Sequence, residues 1–241
     1  MQRHLAPIAL TCVALPLSAQ GPADGLRLFG AATSNQVHLV DSNSNVVHTW
    51  FSSLRPGLSA DMEADGTLLR AVDVTPFTSG GASGGLQRVA FDSSIRWDFR
   101  YDSGGVLSHH DLEPLPNGNV LMIAWEEKTQ AEAIAAGRNP ASLTPGFFRP
   151  DHIVEVQQTG PTTGTVIWEW HVWDHVVQDF DPTQSNFGVV ANQPERIDIN
   201  YPVAVPLNGD WTHCNAIDYD AERDLILLSS LHNSEIWIVD H

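Results

Sequence analysis

The chain has 241 residues, 42% of them hydrophobic and 17% charged, which is enough apolar material for one domain with a real core and is not the composition of a disordered segment. Its 29 acidic residues against 12 basic ones, Lys128 being the only lysine, give a formal net charge of −17. That balance disfavours nucleic acid and anionic membrane as partners and points to a small molecule.

The N-terminal stretch MQRHLAPIALTCVALPLSAQ carries Arg3 near its start, an apolar run from Leu5 to Leu17, and the small residues Ser18 and Ala19. This is the layout of a cleavable secretory signal, placed at 1–19; the run is too short, and too broken by Pro7 and Pro16, for an anchor. Export to the periplasm or beyond is expected, with no membrane span after signal cleavage. Cys12 leaves with the signal, so Cys214 stays alone and no internal disulfide can form.

From residue 20 onward, short runs of β-branched and aromatic residues alternate with Gly, Asn, Asp and Pro, which is strand and turn chemistry. In one recurring pattern a turn leads into an apolar strand: EADGTLLRAV at 63–72, LPNGNVLMIA at 115–124 and AERDLILLSS at 221–230. In the other a strand ends on an aromatic step: NVVHTW at Trp50, SIRWDF at Phe99 and GTVIWEW at Trp170, with a fourth copy starting at SEIWIVD. The turns recur at one and then two periods of about 50 residues, each unit holding two hairpins, as in propeller blades. The predicted fold is therefore all-β, a β-propeller over 20–241, with the matching tryptophans as wedges between blades. Three full units and two flanking halves can be counted, so an incomplete set of about three to four blades is expected, cut short at the C-terminus.

Two segments interrupt the repeat. Residues 126–150 hold an alanine-rich helical stretch ending near Gly137, and residues 171–202 open on a helix-like run. Both leave from strand ends, Trp125 and Trp170, and are expected to build the binding face together with the histidines. SGGASGG at 79–85 lacks the lysine and helix of a phosphate loop, and no G-x-S-x-G elbow is present.

His109 and His110 precede the turn Pro116-Asn117-Gly118-Asn119, and His213, in DWTHCNAIDYD, precedes the next turn of the same kind. The innermost strand of a propeller blade begins near the central axis, so His110 and His213 are predicted to converge on one face. His232, at the end of the strand after His213, is a third candidate. Such a pair can divide the work of base or nucleophile and acid. A rival reading draws metal ligands from His109, His110, Asp111, His171, Asp174 and His175, although HVWDH lacks the glutamate of HExxH. The preferred reading uses no metal.

Together HHDLEPLPNGNVLMIAWE, PDHIVEV, WEWHVWDHVVQDFDP and DWTHCNAIDYDAERDLILLSSLHNSEIWIVDH resemble the bacterial arylsulfotransferase family, from about Val46 to the end. The resemblance implies an exported six-bladed propeller that moves a sulfuryl group from a phenolic sulfate ester to a phenol acceptor. It implies a sulfohistidine intermediate, no nucleotide sulfate donor and no cofactor. His110, with His109 as the fallback, matches the histidine of the family's HHD motif, and His213 and Asn215 match its DW-x-H-x-N motif. Leu231 stands where the family pattern S-S-R-H has arginine, and the histidine that is sulfurylated lies beyond His241. His110 and His213 are thus the catalytic candidates. His109, Asn215, His232 and Trp125 are possible substrate contacts, with Trp125 and Trp173 available to stack on a phenol ring. On this reading the chain is expected to be inactive by itself. The alternative is an exported propeller that binds a phenolic or sulfated ligand without turning it over.

Overall fold

In a computed structural model of the chain the described residues are 25–74, 80–144, 146–203 and 209–241, so the expected signal at 1–19 lies outside them. The turn-and-strand pattern folds into consecutive antiparallel sheets. β1 (Arg27–Gly30), β2 (Gln36–Val40) and β3 (Val46–Phe51) form the first, and β4 (Arg55–Met62), β5 (Leu68–Asp73), β6 (Gly84–Val89) and β7 (Ile95–Arg100) the second. β8 (Val106–Pro114), β9 (Val120–Glu126), β10 (Asp151–Gln158) and β11 (Gly164–His171) form the third. After a short parallel pair, β12 (Val176–Val177) with β13 (Ile197–Asp198), the last sheet holds β14 (Cys214–Asp220), β15 (Leu225–Ser230) and β16 (Glu235–Asp240). The fold is all-β, with one short α-helix among the described residues.

The first recurring pattern is the link between the first and second strands of the last three sheets. Gly66 N donates to Glu63 O and Gly118 N to Leu115 O, both at 2.9 Å, and Arg223 N donates to Asp220 O at 3.2 Å. Gly66 and Gly118 take φ of +82° and +86°, a conformation glycine adopts without steric cost. The aromatic pattern supplies β3, β7 and β11, the last strands of their sheets. SEIWIVD corrects the expected fourth copy: it forms β16, which follows β15 as the third strand, the place β6 and β10 hold in their sheets.

Side chains alternate along β9, so Val120 and Met122 pack towards the second sheet and Leu121 and Ile123 towards the last. Trp97 is fully buried among Leu69, Leu86, Val154 and Val156, and its indole N–H donates to Thr163 O at 3.0 Å. Trp50 fills the equivalent space between the first two sheets with Val37, Leu39 and Leu68. Burying each such aliphatic or aromatic side chain contributes about 1.5–3 kcal/mol. These tryptophans are wedges between sheets.

The first strands pack on one another, β4 on β8 and β8 on β14. Each carries a register shift: between Pro56 and Ala60, between Ser108 and Leu112, and between Cys214 and Ala216. A bulge bends its strand and re-aims the extra side chains, here the histidines of β8 and Asn215 of β14.

In the first insertion α1 (Gln130–Ala135) begins on a capping box between Thr129 and Glu132 and ends before Gly137 at φ +82°. The second insertion departs from expectation, because residues 172–175 form a single 3₁₀ turn. His175 Nδ1 takes the His171 carbonyl at 2.8 Å, the acceptor that an α-helix would give to a backbone N–H. The insertions pack together through Ala133, Phe148, Val172, Val176, Ile197 and Ile199.

Candidate active site

The site grows from the start of β10. Asp151 is fully buried, and its carboxylate accepts from the Thr212 hydroxyl at 2.6 Å, from Cys214 N at 2.7 Å and from His109 Nε2 at 2.7 Å. Burial by itself would raise its pKa, but His109 and these donors hold it below the usual carboxylate value. His109, also buried, lies flat against Trp125, with ring centroids 4.1 Å apart, and its Nδ1 meets His110 Nδ1 at 2.9 Å.

His110 and His213 come from the bulge of β8 and the approach to β14, and their rings meet edge to face at 4.7 Å. This is the predicted convergence. Both residues have left-handed backbones, φ +52° and +47°. Such conformations are sparsely populated by non-glycine residues and gather at functional sites. The His110 ring lies over Gly81, whose carbonyl accepts from His110 N at 2.8 Å. A Cβ on Gly81 would sit 2.0 Å from His110 Cε1.

The two imidazoles are driven apart in charge. Burial, with His109 and His213 nearby, pushes the His110 pKa down to about 4, so it is neutral near pH 7. The hydrogen bond from His213 Nδ1 to Asp210 raises that of His213 despite partial burial and favours imidazolium. Asp210, itself buried, also accepts from the Trp125 indole at 3.0 Å. Titratable neighbours whose pKa values are pushed apart form an acid–base pair.

The other expected residues are placed as follows. Asn215 is the extra residue of the β14 bulge. His232 lies 5.0 Å from the His213 ring and bonds Trp211 O through Nδ1. Trp125 is buried with one face covered by His109, although its edge reaches a cleft of ≈ 350 Å³ that Asp102, Leu107, Glu127 and Arg149 also line. Trp173 packs with the insertions, with Lys128 Nζ 5.1 Å from its ring. Of the rival metal ligands only His109 and His110 meet: Asp111 accepts from Ile217 N, His171 faces Glu126, and His175 stacks on Trp170. Among the described residues no group of three or more His, Cys, Asp or Glu is arranged to hold a metal ion. Also among them, no helix is long and apolar enough to cross a membrane.

Sequence reasoning missed Asp151, Asp210 and Gly81. Asp210 had a local signal, three residues before His213; Asp151 lies in the PDHIVEV stretch, but nothing there points to His109, 42 residues away. No curated protein matches the chain. The model of the arylsulfotransferase (ASST) family matches residues 94–241. That span takes in His109, His110, Asp151, Asp210 and His213 and is well over half of the protein, and the chain belongs to the arylsulfotransferase family.

Proposed function

We propose that the chain carries the acid–base and sulfuryl-binding side of an aryl-sulfate sulfotransferase, which moves a sulfuryl group from a phenolic sulfate ester to a phenol through a sulfohistidine intermediate on a histidine other than His110 and His213. The observation that carries this reading is the neutral His110 set 4.7 Å from His213, whose pKa the bond to Asp210 raises, at the meeting of two bulged strands. A departing phenolate has a conjugate acid of pKa ~10. His213 Nε2–H can protonate it and afterwards take the proton of the incoming phenol, while Asp210 holds the imidazolium through Nδ1. His110, His232 and Asn215 surround the sulfuryl group. The same reading makes residues 20–241 an exported β-propeller of the six-bladed type, 1–19 its signal, and 126–150 and 171–202 its site-bearing insertions.

Activity then requires His110 neutral and His213 charged. The rate should fall below about pH 4, where His110 protonates, and again at alkaline pH. Because the His213 pKa is raised, its cationic form persists to higher pH than that of a free histidine before it is lost. A pH–rate profile with no alkaline limb would contradict the assignment.

The direct test offers 4-nitrophenyl sulfate and a second phenol to the protein carrying that further histidine, since the chain is expected to be inactive by itself, and follows transfer. Ping-pong kinetics support the covalent route, and sequential kinetics overturn it. Binding without turnover supports the alternative, a binding propeller, which is favoured by Leu231 at the family's arginine position. Leu231 is 52% exposed and its N–H bonds the His213 carbonyl at 3.1 Å, so the position adjoins the site. Leu231→Arg should tighten 4-nitrophenyl sulfate binding by ~tenfold, the scale of one charge-assisted hydrogen bond. An unchanged Kd would remove position 231 from the sulfate site.

A further inference from the structure

The two Nδ1 atoms of His109 and His110 lie 2.9 Å apart, so a single proton sits between them. Asp151 fixes the other end, because its carboxylate accepts from His109 Nε2 and that nitrogen keeps its proton. Two arrangements keep His110 neutral; a third, with both His110 nitrogens protonated, would set its charge against His213 and away from Asp151, and is disfavoured for that reason. With His109 neutral, its Nδ1 is a lone pair, His110 Nδ1 carries the hydrogen, and His110 Nε2 shows a lone pair. With His109 charged, its Nδ1–H donates to His110, and His110 must carry its own proton on Nε2. His110 stays neutral throughout.

Sulfuryl oxygens can only accept hydrogen bonds, so they bind the second arrangement and reject the first. We propose that the buried Asp151–His109 pair is a tautomer switch: binding an aryl sulfate draws one proton onto His109 and thereby turns His110 Nε2 into a donor to the sulfuryl group. Asp151 and His109 are positioning residues on this account, acting through His110. The proposal rests on the reading of the site as an aryl-sulfate site and adds the coupling of that binding to a proton.

The groups facing the switch leave His109 as the place for the proton. Asp151 faces it from β10, Asp210 and His213 from the approach to β14, and His232 stands behind His213. The Cys214 thiol on β14 is buried and pushed well above its usual pKa, so it stays neutral. Trp125 covers His109 from β9 without charge, and Gly81 meets His110 through its backbone. His152, next to Asp151, is turned to Tyr101 and His171, and Arg149 is paired with Glu127 at 2.5 Å.

The Asp151→Asn variant separates the switch from mere packing. Asp151 Oδ2 accepts from both Cys214 N and the Thr212 hydroxyl, so the amide oxygen of asparagine must take that side. Its NH₂ then donates to His109 Nε2, which forces His109 into the neutral Nδ1–H tautomer and His110 into Nε2–H at every pH. The experiment is calorimetric titration with 4-nitrophenyl sulfate from pH 6 to 9, in buffers of different ionisation heat, together with long-range ¹H–¹⁵N spectra of the histidines. His213 contributes its own proton in both proteins, so the difference between them decides.

Wild type should take up about one proton per ligand more than Asp151→Asn at the alkaline end, and its affinity should fall more steeply, by about an extra tenfold per pH unit there. The wild-type spectrum should show His110 passing from Nδ1–H to Nε2–H on binding, a readout that holds even if the variant fails to fold. Equal proton uptake in the two proteins, or an unchanged His110 tautomer while His213 responds to ligand, overturns the switch and leaves the functional reading standing. If 4-nitrophenyl sulfate perturbs neither histidine, both fall.

Discussion

Replacing His213 by alanine in the protein that carries the sulfurylated histidine is expected to lower kcat/KM for transfer from 4-nitrophenyl sulfate by ~10² or more, the scale for loss of a general acid–base group. The loss is chemical first: His213 is the imidazole whose pKa the buried Asp210 raises and whose ring meets His110 edge to face. It is also electrostatic, since Asp210 would keep the Trp125 indole but lose His213 beside a buried charge. His48→Ala is the control. His48 stacks on Phe91 at 3.6 Å and meets Trp50 at 4.4 Å between the first two sheets, so its removal should lower the midpoint of denaturation and leave kcat/KM near the wild-type value. Equal losses in the two variants would mean that His213 acts only through stability.

Gly81→Ala is expected to be nearly as damaging, although it changes no functional group. The added methyl carbon would stand 2.0–2.3 Å from three atoms of the His110 ring, and Gly81 itself sits at φ +84°. The ring cannot swing away freely, because its Nδ1 is bound to His109 and its backbone is held by the Gly81 carbonyl. Either His110 leaves its place against His213 or the loop moves. Transfer should fall by ~10²-fold, as misplacement of a reacting group by about 1 Å can cost. Stability should fall by only about 1–2 kcal/mol for alanine at positive φ. Measured kcat/KM and urea midpoints would show the two effects separately, and full activity in Gly81→Ala would mean that the His110 position is not critical.

What the sequence by itself determined follows from short-range chemistry. Turn residues at Asp65, Asn117 and Glu222 and the strands after them are legible because a hairpin is specified within about ten residues by φ preferences and side-chain alternation. The same holds for α1, whose cap, alanines and terminal Gly137 lie next to one another in the chain. That His110 and His213 come together was also readable, since both precede equivalent turns in a repeating unit, although His110 stands in the bulge within β8 and His213 just ahead of β14 rather than both at strand starts. The family motifs in the same segments named the chemistry, which spacing could not.

Only the tertiary structure decided the rest. SEIWIVD has the composition of an aromatic last strand, and nothing local distinguishes it from a third strand; its pairing with β15 does. HVWDH looks helical by its spacing, yet the His171 backbone stays in the ladder opposite His152, and the His175 ring takes the carbonyl a helix would need. Trp125, expected to face a phenol, is covered by His109 and spends its N–H on Asp210. Asp151 and Gly81 belong to neighbouring strands and loops, and no periodicity in the chain points from them to His109 and His110. The protonation pattern is a property of the surroundings: the same imidazole that titrates near neutrality in water is held neutral at position 110 and shifted towards its charged form at position 213, because one is desolvated among other imidazoles and the other is bonded to a buried carboxylate.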